Sequence, residues 1–111
     1  MRSEELITHL DDLLRTSETP DYPLALNGLQ VATERREIQR IALAVDAAEA
    51  TIRGAVKGGA DLLVVHHGLF WDGTQPLTGR RYRRVKLLLD ADLALYSSHL
   101  PLDLHPELGN N

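Results

Sequence analysis

The sequence has no cysteine and only one methionine, one phenylalanine and one tryptophan among its 111 residues. Without cysteine, disulfides, thiolate-ligated metals and thiol nucleophiles are all excluded. No uninterrupted apolar segment has the length that a membrane span needs, and Glu4 and Glu5 near the start do not fit a signal peptide. We therefore expect a cytoplasmic protein with no membrane segment, in which any metal site uses nitrogen and oxygen ligands.

The chain also has no excess of positive charge, because 12 Lys and Arg residues face 16 Asp and Glu residues, the formal net charge is −4 and the pI is about 5.7. Nucleic acid is therefore not indicated as a partner, since its binding proteins usually carry a basic surface. Phosphate-loop patterns and the GxSxG pattern of a serine nucleophile are absent. With 43% hydrophobic and 25% charged residues, the composition is that of a globular protein, and the length predicts one domain over residues 1–111.

Helical and strand-like segments alternate along the chain. The apolar run at residues 60–65 is typical of a strand buried on both faces of a parallel sheet. Apolar periodicity predicts helices over 4–15, 46–59 and 80–91 and further strands over 38–45 and 92–98. This order predicts an α/β fold, in which a mainly parallel sheet with flanking helices forms a layered sandwich.

Local signals refine these boundaries. Asp46 and Glu49 have the spacing of a capping box, which predicts that Asp46 opens the second helix. Asn27-Gly28 predicts a tight turn with positive φ. Residues 68–79 and the tail after His99 are expected to be irregular.

Histidine carries the main chemical signal. Four of the five histidines, His66, His67, His99 and His105, fall in the second half of the chain. The first three follow predicted strands, and ligands of parallel sheets bind at the carboxyl ends of the strands. If those strands are neighbours, these histidines and Asp103 converge there. Two splayed imidazoles and a carboxylate with two oxygens suit a pair of Zn²⁺, Mn²⁺, Fe²⁺ or Co²⁺ ions about 3.5–4 Å apart.

Simpler interpretations stay open. The adjacent histidines could only stabilise a strand end, and Pro101 argues against a regular helical pair of His99 and Asp103. His105 precedes Pro106 and is expected to face solvent.

Two further stretches also have simpler explanations. The basic run from Arg80 to Lys86 is typical of a solvated helix face or an oligomer contact, with phosphate binding as the alternative. Phe70 and Trp71 are expected to pack rather than to form a stacking platform.

Several blocks together resemble the N-terminal half of the NGG-interacting-factor-three family, whose bacterial members are described as type 2 homologues of GTP cyclohydrolase I. These blocks are "DYPLALNGLQV", "ALAVDA", "GADLLVVHHGLFWDG", "LTGRRYRRVKLLLDADLALYSSHLPLD" and "HPELGNN". The resemblance runs from Leu6 to Asn111. It implies an α/β fold and a toroidal homo-hexamer with dinuclear metal sites facing an internal cavity, and it leaves the small-molecule substrate unknown.

The resemblance also implies roles for particular residues. His66 and His67 match adjacent ligands, one for each metal, and Asp103 matches an aspartate ligand. His99 matches a neighbour of the site that serves as a weak ligand or a proton relay. Asn27 lies in a recurrent block without a ligand role. Family members are roughly twice as long, and their second half adds a histidine and a glutamate to the metal pair, so the site here is expected to be incomplete.

These observations give three functional hypotheses. The first is a metal-dependent hydrolase in its complete form, acting on a phosphoester or a nucleotide or heterocyclic ring through metal-activated water, with little activity from this chain alone. The second is a non-catalytic metal-binding scaffold or regulatory interaction protein. The third is a purely structural role for the histidines.

Overall fold

The computed structural model describes residues 1–71 and 73–109. Four strands form one sheet in the order β1-β4-β3-β2. Strands β2, β3 and β4 run parallel, and β1 pairs with β4 in the antiparallel direction. The elements are α1 (Ser3–Leu13), β1 (Gly28–Val31), β2 (Ile41–Asp46), α2 (Glu49–Lys57), β3 (Leu62–His67), α3 (Gly79–Asp90), β4 (Ala94–Ser97) and α4 (Leu100–Asp103).

The predicted α/β fold with a mainly parallel sheet is confirmed. The predicted domain end at Asn111, and the last two residues of the block "HPELGNN", lie outside the described residues. Among the described residues, no helix combines the length and the apolar character that crossing a membrane requires.

Two apolar clusters cover the two faces of the sheet. On one face, α2 and α3 pack through Ile52, Ala55 and Leu88 against Leu63, Val65 and Leu95 of the sheet. On the other face, α1 contributes Leu6, Ile7 and Leu10, which pack near Leu62, Ala94 and Tyr96. Alternate residues of β3 and β4 therefore point into different clusters, as the two-residue period of a strand requires. Burial on both faces explains why the sequences of the central strands β3 and β4 are mainly apolar.

The outer part of the α1 face is open. Strand β2 lies at the edge of the sheet, and Ile41 and Leu43 pair with Leu62 and Val64, whose side chains face α1. Ile41, Leu43 and Val45 are 45%, 79% and 65% exposed. The edge strand therefore presents a row of apolar side chains that the described residues do not cover.

The start of β1 combines a predicted and an unpredicted feature. Gly28 adopts a φ of 106°, as the Asn27-Gly28 turn predicts. The residues that follow continue as β1, with Gly28 opposite Ser97 and Leu29 opposite Tyr96. Strand β1 was missed because it has only four residues and begins with a turn glycine.

Two further predictions are wrong in detail. Asp46 ends β2 rather than opening α2, and the Thr51 hydroxyl instead accepts the Ala48 backbone N–H at 3.0 Å. Residues 100–103 form the short helix α4, in which the Asp103 N–H donates to the His99 carbonyl at 3.0 Å. Pro101 permits this turn because residues at the start of a helix need no backbone N–H donor.

Candidate metal centre

Three imidazoles meet at the carboxyl edge of the sheet. His66 and His67 end β3, and His99 follows β4, which is the neighbouring strand. The ring centroid of His66 lies 4.5 Å from that of His67 and 4.6 Å from that of His99. One ring nitrogen from each of the three lies within 4.8 Å of the others. The predicted convergence of these histidines is thus present in the structure.

Each imidazole contacts a different carboxylate. His66 Nε2 lies 2.9 Å from Asp103 Oδ1, and His67 Nδ1 lies 2.7 Å from Asp46 Oδ1. His99 Nδ1 lies 3.2 Å from Asp21 Oδ2. Within the described part of the chain, the second nitrogen of each ring has no hydrogen-bond partner. Three imidazoles with one free nitrogen each, next to carboxylates, form a donor set suited to a divalent transition metal.

Asp103 lies against the cluster, as predicted. Its carboxylate contacts His66, and both side chains are about one fifth exposed. Helix α4 places Asp103 one turn after His99, so the two predicted site residues of this block are held by the same short element.

Asp21 is the most buried acid of the site, with a side chain only 4% exposed. Burial by itself would raise the pKa of Asp21, but hydrogen bonds from Asn27, from the Leu100 and Tyr22 backbone N–H groups and from His99 outweigh it and lower the pKa. The side chain is therefore a carboxylate at neutral pH. Asp21 did not emerge from the sequence because it lies in a loop with no periodic pattern.

Asp46 was also missed as a site residue, although a signal was available. It ends β2 directly opposite His67 in the parallel register. The same strand-end argument that selects His66 and His67 selects Asp46, but the capping-box spacing with Glu49 led to a different assignment.

Asn27 and Gln30 hold the two histidine-bearing loops. Asn27 Oδ1 accepts the His99 backbone N–H at 2.8 Å, and its Nδ2 donates to Asp21 Oδ2 at 2.9 Å. Gln30 Oε1 accepts the backbone N–H of Leu69 at 2.8 Å. The block "NGLQV" therefore positions the site, and Asn27 does so through its hydrogen bonds to His99 and Asp21.

Trp71 lies at the cluster rather than in the core. Its ring is 4.6 Å from that of His99, with an interplanar angle of 90°. A cavity of about 510 Å³ opens between Tyr22, Pro23, Leu24, Trp71 and His99. Phe70, in contrast, packs against the core cluster under α3. The prediction of packing is therefore correct for Phe70, whereas Trp71 forms part of the wall of the site.

The basic run on α3 is only partly a solvated face. Arg81 Nη1 donates to the Leu69 carbonyl at 2.9 Å, and its guanidinium lies 5.8 Å from the Phe70 ring centroid. Arg84 Nη1 donates to the Ala47 carbonyl at 3.4 Å. Burial, together with the nearby charge of Arg81, lowers the pKa of Arg84. Arg84 and Arg81 therefore stabilise the loops that follow β2 and β3, respectively, through hydrogen bonds to backbone carbonyls.

His105 does not face solvent, contrary to the expectation. It is buried, its Nε2 lies 2.8 Å from the Leu13 carbonyl, and its Nδ1 accepts backbone N–H groups of Glu107 and Leu108. All of its hydrogen-bonding capacity is used in joining the tail to α1, so it is not available as a ligand.

The family model described as Duf34/NIF3 (NGG1p interacting factor 3) matches residues 1–111. The GTP cyclohydrolase 1 type 2 homolog of Halobacterium salinarum is 53% identical over 110 residues, which cover 99% of this chain and 43% of that protein. Its namesake in Treponema pallidum is 48% identical over 100% of this chain and 39% of its own length. The chain thus spans about two fifths of these curated relatives.

Solved structures show the same fold. TTHA1606 from Thermus thermophilus is 45% identical, with a TM-score of 0.92 over 100% of this chain and 45% of that one. Reduced HcgD from Methanocaldococcus jannaschii is 30% identical, with a TM-score of 0.80 over 93% of this chain and 41% of that one.

Proposed function

This chain belongs to the Duf34/NIF3 family, and on that premise we propose that its cluster of His66, His67 and His99 is a binding site for divalent metal ions. The observation that carries this proposal is the clustering of three ring nitrogens within 4.8 Å of one another. A structural role alone gives no reason to gather three imidazoles, each with one nitrogen lacking a partner among the described side chains.

The proposed ligands follow the predicted set. His66 and His67 would each hold one ion of a pair, and Asp103 would supply a carboxylate beside His66. The nitrogen and oxygen donors suit Zn²⁺, Fe²⁺, Mn²⁺ or Co²⁺ and do not select among them. The ring of His99 lies 4.6 Å from that of His66 and 5.5 Å from that of His67, and its Nε2 would accept a proton or serve as a further ligand.

We propose that this site contributes to metal-dependent hydrolysis of a phosphoester or a nucleotide or heterocyclic ring. The names of the curated relatives, GTP cyclohydrolase 1 type 2 homolog, support the nucleotide class. A bound metal supplies water of lowered pKa as the nucleophile. His99 would accept the proton of that water at Nε2, and Tyr22 and Trp71 line the cavity beside it. The hexamer implied by the family resemblance stays a prediction.

Metal analysis tests the binding site. Purified protein that has been exposed to Zn²⁺ and then desalted should retain metal, and His67→Ala should lose most of it. His9→Ala is the matched control because His9 is exposed on α1 and does not belong to the histidine cluster. Metal content that is the same in both variants, or absent from the wild type, contradicts the proposal.

A hydrolysis screen tests the enzymatic part. A full-length relative loaded with Mn²⁺, Zn²⁺ or Co²⁺ should hydrolyse at least one phosphoester or nucleotide. The activity should be lost when the histidine corresponding to His67 is changed to alanine. A metal-loaded relative that hydrolyses none of these substrates would favour the non-catalytic scaffold.

A further inference from the structure

His99 is attached at two points to the segment that precedes β1. Its backbone N–H donates to Asn27 Oδ1 at 2.8 Å, and its ring Nδ1 lies 3.2 Å from Asp21 Oδ2 and 3.3 Å from Oδ1. The next backbone N–H, that of Leu100, also donates to Asp21 Oδ2, at 3.0 Å. Both the backbone and the ring of His99 are therefore held by side chains more than 70 residues away.

Among the described residues, the other hydrogen-bond partners of the Asp21 carboxylate are all donors. Oδ1 accepts the Tyr22 N–H at 2.7 Å, and Oδ2 accepts Asn27 Nδ2 at 2.9 Å and the Leu100 N–H. A group surrounded by donors acts as an acceptor only, so the ring atom that faces it must carry a hydrogen. The orientation of Asn27 agrees, because its amide oxygen takes a backbone N–H and its NH₂ group faces the carboxylate.

We propose that Asp21 is a positioning residue that fixes His99 in the tautomer protonated at Nδ1 and leaves Nε2 as the nitrogen that binds a cation or accepts a proton. This inference deepens the proposed metal site and rests on it for its functional meaning. The tautomer itself is a property of the metal-free protein.

The fixed tautomer matters because a neutral imidazole has one nitrogen with an in-plane lone pair available to a metal or a proton. In the other tautomer, that lone pair points away from the site. The ring of His99 lies 4.6 Å from that of His66 and 5.5 Å from that of His67. Because Nδ1–H is bound to Asp21, the ring needs neither a change of tautomer nor a rotation when a cation binds. Residues outside the ligand set that act in this way commonly change metal affinity 10- to 100-fold.

Long-range ¹H–¹⁵N correlation spectroscopy of the EDTA-treated protein tests the assignment directly. The wild type should show His99 protonated at Nδ1. Asp21→Ala, which removes both acceptor oxygens, should shift the ring towards the Nε2–H tautomer. Asp21→Asn keeps one oxygen and should restore the Nδ1–H form. Asp90→Ala is the matched control, since Asp90 pairs with Lys86 on the surface of α3.

The wild-type spectrum alone can overturn the proposal, so a poorly folded variant does not leave it undecided. An Nε2–H tautomer of His99 in the wild type contradicts it, and so does an Nδ1–H tautomer that persists in a folded Asp21→Ala protein.

Zn²⁺ titration by calorimetry separates this inference from the proposed function. We expect about 10- to 100-fold weaker binding in Asp21→Ala and unchanged binding in Asp90→Ala. If Asp21→Ala and Asp90→Ala bind Zn²⁺ with equal affinity, the positioning role of Asp21 is refuted, whereas the proposed metal site is not. A wild type that binds no Zn²⁺ refutes the metal site, and the tautomer result then still decides whether Asp21 orients His99.

Discussion

Replacing Gly68 by alanine should disturb the loop after the histidine pair through one neighbour, Gln30. A Cβ placed on Gly68 would come within 2.6 Å of the amide carbon of Gln30 and would overlap its Oε1. The Gln30 side chain must then move. It would lose the Leu69 N–H at 2.8 Å and the Leu26 carbonyl at 2.7 Å as partners.

The magnitude follows from those two hydrogen bonds. Each neutral hydrogen bond contributes about 0.5–1.5 kcal/mol net, so Gly68→Ala should lower the free energy of unfolding by about 1–3 kcal/mol. Gln30→Ala removes the same two bonds and should have a similar effect. In the double variant the new methyl group occupies space vacated by Gln30, so the loss should be close to that of either single variant.

Urea denaturation of the four proteins measures this coupling, with the midpoint shift read at constant slope. Gly54→Ala is the control, because nothing lies within 4 Å of a Cβ at that helical position, and it should raise stability by up to about 1 kcal/mol. Single effects that add in the double variant to within about 0.5 kcal/mol would refute the proposed contact.

Two other predictions concern hydrogen bonds that stabilise the fold elsewhere in the domain. Tyr96→Phe removes hydroxyl contacts of 2.7 Å to Asp11 and 2.6 Å to Thr16 and should cost about 1–3 kcal/mol in urea denaturation; an unchanged midpoint would contradict the role of this buried hydroxyl. The Glu34 backbone N–H is the main group that lowers the pKa of Asp92, so the carboxylate should stabilise the fold above about pH 4 and lose this effect as the pH falls through its lowered folded-state pKa. Asp92→Asn suits the left-handed φ of 51° at this position and should reduce the loss of stability on acidification; an acid limb identical to that of the wild type would contradict it.

The sheet was largely predictable because β3 and β4 are buried on both faces and carry mainly apolar residues, and because β2 is also apolar although one of its faces is exposed. The position of the site at the carboxyl edge of the sheet could be predicted in the same way, since His66, His67 and His99 come directly after predicted strands. Short elements escaped prediction. Helix α4 has one turn and contains Pro101, and β1 has no alternation long enough to distinguish it from a loop.

The residues that support the histidines could not be predicted in the same way. Asp21 and Asn27 reach His99 across 78 and 72 positions of sequence, and no periodicity links residues at such separations. His105 was wrongly expected to be exposed, whereas it is buried. A histidine before a proline in a polar tail suggests exposure, yet the backbone groups of the tail and of α1 need its two nitrogens as partners.

These long connections have a consequence for the order of folding. The His66–His67 pair can form with β3 alone, whereas the third imidazole is placed only after the segment before β1 has closed on the segment after β4. Closing such large loops costs entropy before it yields contacts, so these contacts are expected to form late. A partly folded chain would then offer a metal two histidines without the third. Metal affinity would therefore report whether the two ends of the domain have come together, and a tightly bound ion would favour the fully closed state.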